Sequence, residues 1–297
     1  MIVGPTASGK SDLAFRLALE TDGEIISVDS RQCYKRINIG TAKPDSSQLN
    51  RIRHYNISIL DLIQKDTVIS FLERAGLWRK EIASNKRKII YAGGSTLHLQ
   101  GIIQPLDNLP ESNPQNISLL QKRADNEGFE KLYGELLKVD PEYASSMDGL
   151  NRQRIIRALD VWLQTGRAFS SFHTRDKPVL PPDLLVYGLR WPRKKLHDRI
   201  NTRVDNMIRA GLVEETLEIL NDGYSPALQS LQTVGYRDVI KYLEGIISHD
   251  QMVADIKTQT RRYAKRQMTW FRKWPFINWL EPEEQNTDRM IEKIIRV

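Results

Sequence analysis

The run Gly4-Pro5-Thr6-Ala7-Ser8-Gly9-Lys10-Ser11 is an unbroken G-x-x-x-x-G-K-[ST]. Residues of these types at this spacing hold an anionic phosphate. Backbone N–H groups wrap the anion, the glycines let the main chain come close, Lys10 brings a mobile cation, and the Ser11 hydroxyl is suited to Mg2+. A phosphate or diphosphate pocket is expected, with nucleotide (ATP) binding as the first suggestion, and the motif alone does not choose the ligand. A second chemical position is Asp29, at the end of the apolar run EIISV (24–28). In open α/β sheets ligands collect at the C-terminal ends of strands, so Asp29 is expected beside the phosphate loop. There it would serve as a metal-linked ligand or a general base; a helix N-cap or a solvated loop carboxylate is the ordinary alternative. The third position is the stretch RRYAKRQMTWFRK (261–273), which interleaves cations with aromatics. On a helix Arg262, Arg266 and Trp270 share one face with Arg261 and Lys265 beside it, while Tyr263, Gln267 and Phe271 form another stripe. Such a surface neutralises phosphates while its aromatics anchor the helix or stack on bases. A solvated basic face over a Tyr/Phe core stripe has the same text.

The elements that must position these groups follow from periodicity. Ile2 and Val3 are read as the strand that feeds the loop, and residues 12–20, with Leu13, Ala14, Leu17 and Ala18, as the helix it opens. Residues 24–28 and 88–92 (KIIYA) are short apolar runs, expected to be buried parallel strands, with His54 in a further strand-like run and residues 67–84 helical. Gly93-Gly94-Ser95 ends the 88–92 strand, where paired glycines permit a close backbone approach. The order is α/β: a P-loop NTPase-like parallel sheet flanked by helices. From Pro105 the texture changes. Residues 105–114 read as a linker, and 115–127, 129–139, 141–147 and 151–164 as helices. We therefore expect a catalytic core from 1–110 and 176–297, with an all-helical insertion domain at 111–175. A strand at 184–189 returns to the sheet, and helices are expected from residue 194 to the end.

Composition limits the function classes. The 297-residue chain is 40% hydrophobic and 27% charged, with a net charge of +7 that favours an acidic partner. Residues 257–273 hold seven basic side chains and no acidic one. A single cysteine, Cys33, excludes an internal disulfide framework and suits a reducing cytoplasm. No apolar run is long enough to span a membrane, and the second residue already belongs to a strand, so neither a membrane anchor nor a signal peptide is expected. A strand of normal length would begin several residues before Ile2. A monomer is expected. A regulatory GTPase would need N-K-x-D after a strand, whereas Asn85-Lys86-Arg87-Lys88 lacks the Asp and precedes its strand. A small-molecule kinase and an ATP-dependent RNA-binding module each account for part of the pattern. A transferase with a diphosphate leaving group and a nucleic-acid acceptor accounts for the loop, the strand-end Asp and the basic helix together.

The chain resembles the tRNA dimethylallyltransferases, or tRNA isopentenyltransferases, over essentially its whole length. The shared text is GPTASGKS (4–11), SVDSRQCY (27–34), IGTAKP (39–44), QRIIRALDV (153–161), TG (165–166), RINTRVDNMIRAGLVEE (199–215), VGYRD (234–238) and AKRQMTWFRKW (264–274). GTAKP and KRQxTWxR together are highly specific. The resemblance implies transfer of the dimethylallyl group of dimethylallyl diphosphate to N6 of the adenosine 3′-adjacent to the anticodon, in tRNAs reading codons that begin with U. By the same resemblance the loop, residues Gly4, Pro5, Thr6, Ala7, Ser8, Gly9, Lys10 and Ser11, holds the donor's diphosphate, with Mg2+ on Ser11. Asp29 is implied as general base, and Arg203, with Lys10, as stabiliser of the leaving group. The anticodon stem-loop is implied to meet Asp29, Ser30, Arg31 and Gln32 at the flipped base, with Ser95 in the reaction channel. Three further blocks are implied to hold it: Gln153, Arg154, Ile155, Ile156 and Arg157; Gln232, Thr233, Val234, Gly235, Tyr236 and Arg237; and Lys265, Arg266, Gln267, Met268, Thr269, Trp270, Phe271 and Arg272. The sequence departs from the family at Ser95 (usually Thr), His98 (usually Tyr) and Ile117 (usually an Arg touching tRNA), and IRHYNIS replaces the usual His-His-Leu text around His54. The nearest rival within the resemblance is an adenylate isopentenyltransferase acting on free AMP, ADP or ATP, which needs no basic aromatic platform.

Overall fold

Alternation along six short strands sorts the core into two layers. They are β1 (Ile2–Val3), β2 (Gly23–Val28), β3 (His54–Tyr55), β4 (Lys88–Gly93), β5 (Tyr187–Leu189) and β6 (Asn278–Leu280). Val3, Ile26, Val28 and Tyr91 enter one cluster, with Phe71, Ala75, Leu99 and Phe271. Their neighbours Ile2, Ile25, Ile90 and Ala92 enter the other, with Leu13, Leu17, Met290 and Ile291. A side-chain period of two, with apolar residues on both faces, makes a sheet covered on both sides, and β2 is buried at all six positions. The computed structural model describes residues 1–104, 106–147, 149–173 and 180–296. Every neighbouring pair of strands is parallel, in the order β3-β2-β4-β1-β5-β6. β1 lies between β4 and β5, so the chain leaves its C-terminal end where the strand order reverses, the crevice that receives ligands in such sheets.

In chain order the helices are α1 (Lys10–Thr21), α2 (Ser46–Arg51), α3 (Val68–Ser84), α4 (Thr96–Ile103), α5 (Pro114–Glu127), α6 (Phe129–Val139), α7 (Pro141–Ser145), α8 (Arg152–Thr165), α9 (Arg193–Arg209), α10 (Leu212–Asn221), α11 (Tyr236–Leu243), α12 (His249–Phe271) and α13 (Thr287–Ile295). None is long and apolar enough to cross a membrane among the described residues. Local caps set several starts. Thr67 and Ser70 form a reciprocal capping box on α3, and the Ser248 hydroxyl accepts the Gln251 N–H to begin α12.

The chain divides into two compact units, Met1–Gln104 with Pro178–Val297, and Pro105–Lys177. Pro105 and the expected boundary at 175–176 lie outside the described residues. The second unit has its own core, including Leu120, Leu132, Leu136, Ile155, Ile156 and Leu159. Within it Asp160, fully buried, accepts from Arg157 (2.7 Å), Gln164 (2.9 Å) and Asn116 (3.2 Å), which satisfies a carboxylate that would otherwise be costly to bury. Two expectations for the first unit need correction. The returning strand is shorter than 184–189, because the Leu184 N–H closes a turn on the Pro181 carbonyl (3.0 Å) and pairing begins at Tyr187. The C-terminal part is not wholly helical: β6 adds a sixth strand beside β5.

Candidate active site

Immediately after β1, residues Gly4–Gly9 turn out of the sheet and α1 begins at Lys10. The cap residue Gly9 has φ 93° and offers no side chain to the first turn, so the N–H groups that open α1 stay available to an anion. Lys10 Nζ reaches back to the Pro5 carbonyl (3.2 Å). Burial, and next the nearby Arg203 charge, push its ammonium down to about 8, against the opposing pull of Asp29. The guanidinium of Arg203, on α9, makes no hydrogen bond to any described residue. Burial also lowers its pKa, with the charge of Asp29 opposing.

Asp29 follows the last residue of β2. Its Oδ1 accepts the N–H groups of Arg31 (2.8 Å) and Gln32 (3.2 Å), and its Oδ2 has no partner among the described residues. One carboxylate oxygen is thus fixed by the turn and the other left for a ligand. The main chain around it is held by Asn56, whose amide donates to the carbonyls of Ser27 (2.9 Å) and Asp29 (3.2 Å). Asn56 is fully buried at φ 63°, a left-handed setting that asparagine tolerates better than most residues. Sequence reasoning missed it; the signal was an Asn directly after a two-residue strand. Gln32, expected at the base, is on the same cavity wall as Asp29 and also straps loops together. Its Oε1 accepts the Ser27 hydroxyl (2.8 Å) and its Nε2 donates to the carbonyls of Thr41 and Ala42 (both 3.1 Å). Lys43 of the GTAKP text turns inward to Ser58 Oγ (2.8 Å) and Asn38 Oδ1 (2.9 Å), with burial lowering its pKa to about 8.

These groups converge on one cavity, whose wall includes Thr6, Lys10, Ser11, Asp29, Arg203 and Tyr263. A second cavity shares Thr6, Asp29, Thr41, Arg203 and Tyr263 and adds Ser30, Arg31 and Thr233 through Gly235. The carboxylate and the guanidinium therefore stand where the two spaces meet, with Thr6 of the loop on both and Lys10 and Ser11 on the first only. Such a partition suits a reaction between a bound diphosphate ester and a nucleophile that approaches from the second space. Tyr263 is 38% exposed but crowded at the cavity wall, where partial desolvation and then the Asp29 charge raise its phenol above the ordinary value. Among the described residues no group of three or more His, Cys, Asp or Glu could hold a metal ion. Ser11 Oγ is the loop oxygen that could serve Mg2+, an ion that keeps few protein ligands and would draw the rest of its shell from substrate phosphate and water.

The residues expected to meet RNA divide by burial. Gln153, Arg154, Gln232, Lys265, Arg266, Thr269 and Arg272 are exposed. Ser30, Arg31 and Thr233 are half-buried and line the second cavity. Others are corrected. Ile155 and Ile156 belong to the core of the helical unit because they occupy the inward face of α8. Arg157 beside them is engaged by Asp160 and the Pro110 carbonyl. Tyr236 is fully buried, and its hydroxyl bonds Glu215 (2.5 Å) and receives the Gly40 N–H (3.0 Å). Val234 and Gly235 are not among those corrected, since both line the second cavity, with Val234 also packed on the neighbouring core. Arg237 binds Gln259 of α12. Phe271 is core, and Met268 and Trp270 pack against it. Gln267 is 3% exposed and accepts the Thr6 N–H (2.8 Å) while donating to the Gly94 carbonyl (2.8 Å), so it binds the phosphate loop rather than a surface ligand. Ser95 stays off the first cavity's wall: its hydroxyl is paired with His98 Nδ1 (2.9 Å), and His98 packs edge-on to Phe71. Ile117 packs against the core of the helical unit.

Comparison with known proteins identifies the family. The model of the IPP transferase family matches residues 32–274. The tRNA dimethylallyltransferase of Christiangramia forsetii is 38% identical over 285 residues, covering 96% of this chain and 93% of that protein. That of Carboxydothermus hydrogenoformans is 40% identical over 297 residues, covering 99% and 95%. Among solved structures, the tRNA delta(2)-isopentenylpyrophosphate transferase of Staphylococcus epidermidis superposes with a TM-score of 0.73 at 34% identity, covering 99% of this chain and 96% of that one. A eukaryotic dimethylallyltransferase acting on tRNA has a TM-score of 0.81 at 24% identity, covering 99% and 78%, and is a likeness of fold alone. With four-fifths of its residues inside the family model and full-length relatives near 40% identity, this chain belongs to the IPP transferase family.

Proposed function

We propose that this chain transfers the dimethylallyl group of dimethylallyl diphosphate to N6 of an adenosine in tRNA, the one 3′-adjacent to the anticodon, and releases diphosphate. The observation that carries the reading is the position of Asp29 and Arg203, on the wall shared by a phosphate-loop cavity and a second cavity. An adenine N6 amine is a weak nucleophile because its lone pair is delocalised into the ring. The free Oδ2 of Asp29 accepts its hydrogen bond and takes its proton as the new C–N bond forms. As the allylic C–O bond breaks, negative charge grows on the diphosphate, and Lys10, Arg203 and the loop N–H groups stabilise it. Mg2+ held by Ser11 and the diphosphate oxygens would neutralise part of the same charge. The phenol of Tyr263, kept protonated, is a donor on the same wall. The base must leave the stack of the anticodon loop to reach Asp29, which assigns the second cavity to the flipped nucleotide.

The exposed cations of α12 support a polynucleotide acceptor over a free nucleotide. Arg262, Lys265, Arg266 and Arg272 have no acidic partner among the described residues, and a mononucleotide offers nothing for so long a face to bind. Within the helical unit, taken by itself, the exposed Gln153 and Arg154 are the proposed RNA contacts. The buried thiol of Cys33 suits a cytoplasmic enzyme, and we propose that it acts as a monomer. The decisive experiment supplies labelled dimethylallyl diphosphate with either an anticodon stem-loop or AMP. Label should pass to the stem-loop adenosine; preferential labelling of AMP overturns the reading in favour of an adenylate isopentenyltransferase.

A further inference from the structure

Three successive residues of the phosphate loop are tied to side chains from elsewhere in the same unit. The Thr6 N–H donates to Gln267, the Ala7 carbonyl accepts from Arg199 Nε (2.8 Å), and the Ser8 carbonyl accepts from Trp191 Nε1 (2.9 Å). Arg199 lies over the Trp191 ring, 4.4 Å from its centroid, so the two donors brace each other. Neither has a part in the transfer chemistry described above.

Peptide geometry gives these contacts a consequence. A trans peptide sends its C=O and N–H in opposite directions. Holding the Ser8 carbonyl on Trp191 therefore turns the Gly9 N–H to the other side of the loop, away from Trp191. Holding the Ala7 carbonyl on Arg199 fixes the next peptide back, whose N–H closes a turn on the Pro5 carbonyl (3.3 Å). That turn is the strained part of the loop, since Ala7 sits at φ 63°, a left-handed setting that costs a residue with a Cβ. The loop's own side chains add only the Lys10 contact to the Pro5 carbonyl, since Ser8 Oγ is buried without a partner among the described residues. Arg199 also places Nη2 3.6 Å from where a Cβ on Gly9 would lie, so its charge reinforces the anion site from outside.

We propose that Trp191 and Arg199 are positioning residues for the prenyl donor, holding the phosphate loop in its anion-accepting shape before the diphosphate arrives. One stretch then supplies both sides of the loop, because Arg203, four residues after Arg199 on α9, faces the cavity. The inference rests on the diphosphate reading of the loop, but inorganic diphosphate with Mg2+ tests it without tRNA turnover. Trp191→Phe removes the N–H donor and keeps a ring under Arg199, and Arg199→Lys keeps the charge and loses the Nε donor. Each should weaken diphosphate binding about fivefold to tenfold by calorimetry, the size expected for one hydrogen bond. Affinity for an anticodon stem-loop should stay within about twofold, and in turnover the donor KM should rise more than kcat falls. Trp191 supplies a spectroscopic check: the fluorescence change on adding diphosphate should lose a component in Trp191→Phe. Unaltered diphosphate affinity in both variants overturns the proposal, and so does a parallel loss of stem-loop affinity, which would mark a general structural role. If the unaltered chain binds neither inorganic nor dimethylallyl diphosphate, the diphosphate reading of the loop falls as well.

Discussion

Two cationic regions of this chain hold their charges in opposite ways. Lys10 and Arg203 are few, desolvated and close to one carboxylate, and burial lowers both their pKa values. Arg262, Lys265, Arg266 and Arg272 on and just beyond α12 are exposed and free of acidic partners among the described residues. A charge already stripped of water interacts strongly with whatever forms beside it and needs no reorganisation when a leaving group ionises. An exposed charge acts through a screened field and displaced counterions, so each one contributes little and several are needed. The first arrangement serves chemistry and the second affinity. Substitutions in the two regions should therefore fail in different measurements.

The largest effect should come from Asp29. Asp29→Ala is expected to reduce single-turnover prenyl transfer by about 10²- to 10⁴-fold, the range of a positioned general base, with stem-loop affinity nearly intact. A normal transfer rate would move the base elsewhere. Next is Arg203→Ala, expected to cost about 10²- to 10³-fold in kcat as one donor to the departing diphosphate is removed. If that variant instead binds tRNA poorly and transfers at full rate once saturated, Arg203 belongs with the exposed cations and the contrast between the regions collapses.

The pH response of donor binding is a finer probe of the buried region. With its pKa lowered to about 8, Lys10 in the free chain is an ammonium below that pH and a neutral amine above it. Binding an anion favours the charged form, so above about pH 8 each bound diphosphate must recruit a proton. The Kd for dimethylallyl diphosphate should be flat below pH 8 and rise toward about tenfold per pH unit above it. In Lys10→Arg the rise should vanish, because a guanidinium keeps its proton. An unchanged profile in that variant would assign the titration to another group.

How much of this was legible in the sequence depended on how far each interaction reaches. The phosphate loop, α1 and the position of Asp29 could be read because each is set by residues within one turn or one strand. The helical unit was readable from its caps and periodicity, since Asn113, Asp140 and Asn151 accept backbone N–H groups where α5, α7 and α8 begin. β6 was not, because three residues at a sheet edge carry almost no pattern of their own. The family text supplied whole blocks as RNA contacts, whereas a helix turns its residues in different directions. In 153–157 only Gln153 and Arg154 face solvent. Gln267 shows the limit most clearly. Its spacing put it on one stripe with Tyr263 and Phe271 and the family text made it an RNA contact, but its partners Thr6 and Gly94 lie 261 and 173 residues away. Asn56, which fixes Asp29, was hidden for the same reason.

The smallest effects, and the sharpest contrast with Asp29, are expected on α12. Lys265→Glu and Arg266→Glu should each weaken stem-loop binding several-fold at moderate salt, with transfer at saturating RNA near normal. The informative quantity is the slope of log K against log salt, which should become shallower by about one for each phosphate no longer neutralised. Arg266 also lies over the Tyr263 ring, 5.8 Å from its centroid, and Tyr263 reaches the cavity wall. Arg266→Glu is therefore expected to lower kcat slightly where Lys265→Glu does not. Equal salt slopes in both variants and the unaltered chain would return this face to a solvated helix surface and leave the RNA to be held elsewhere.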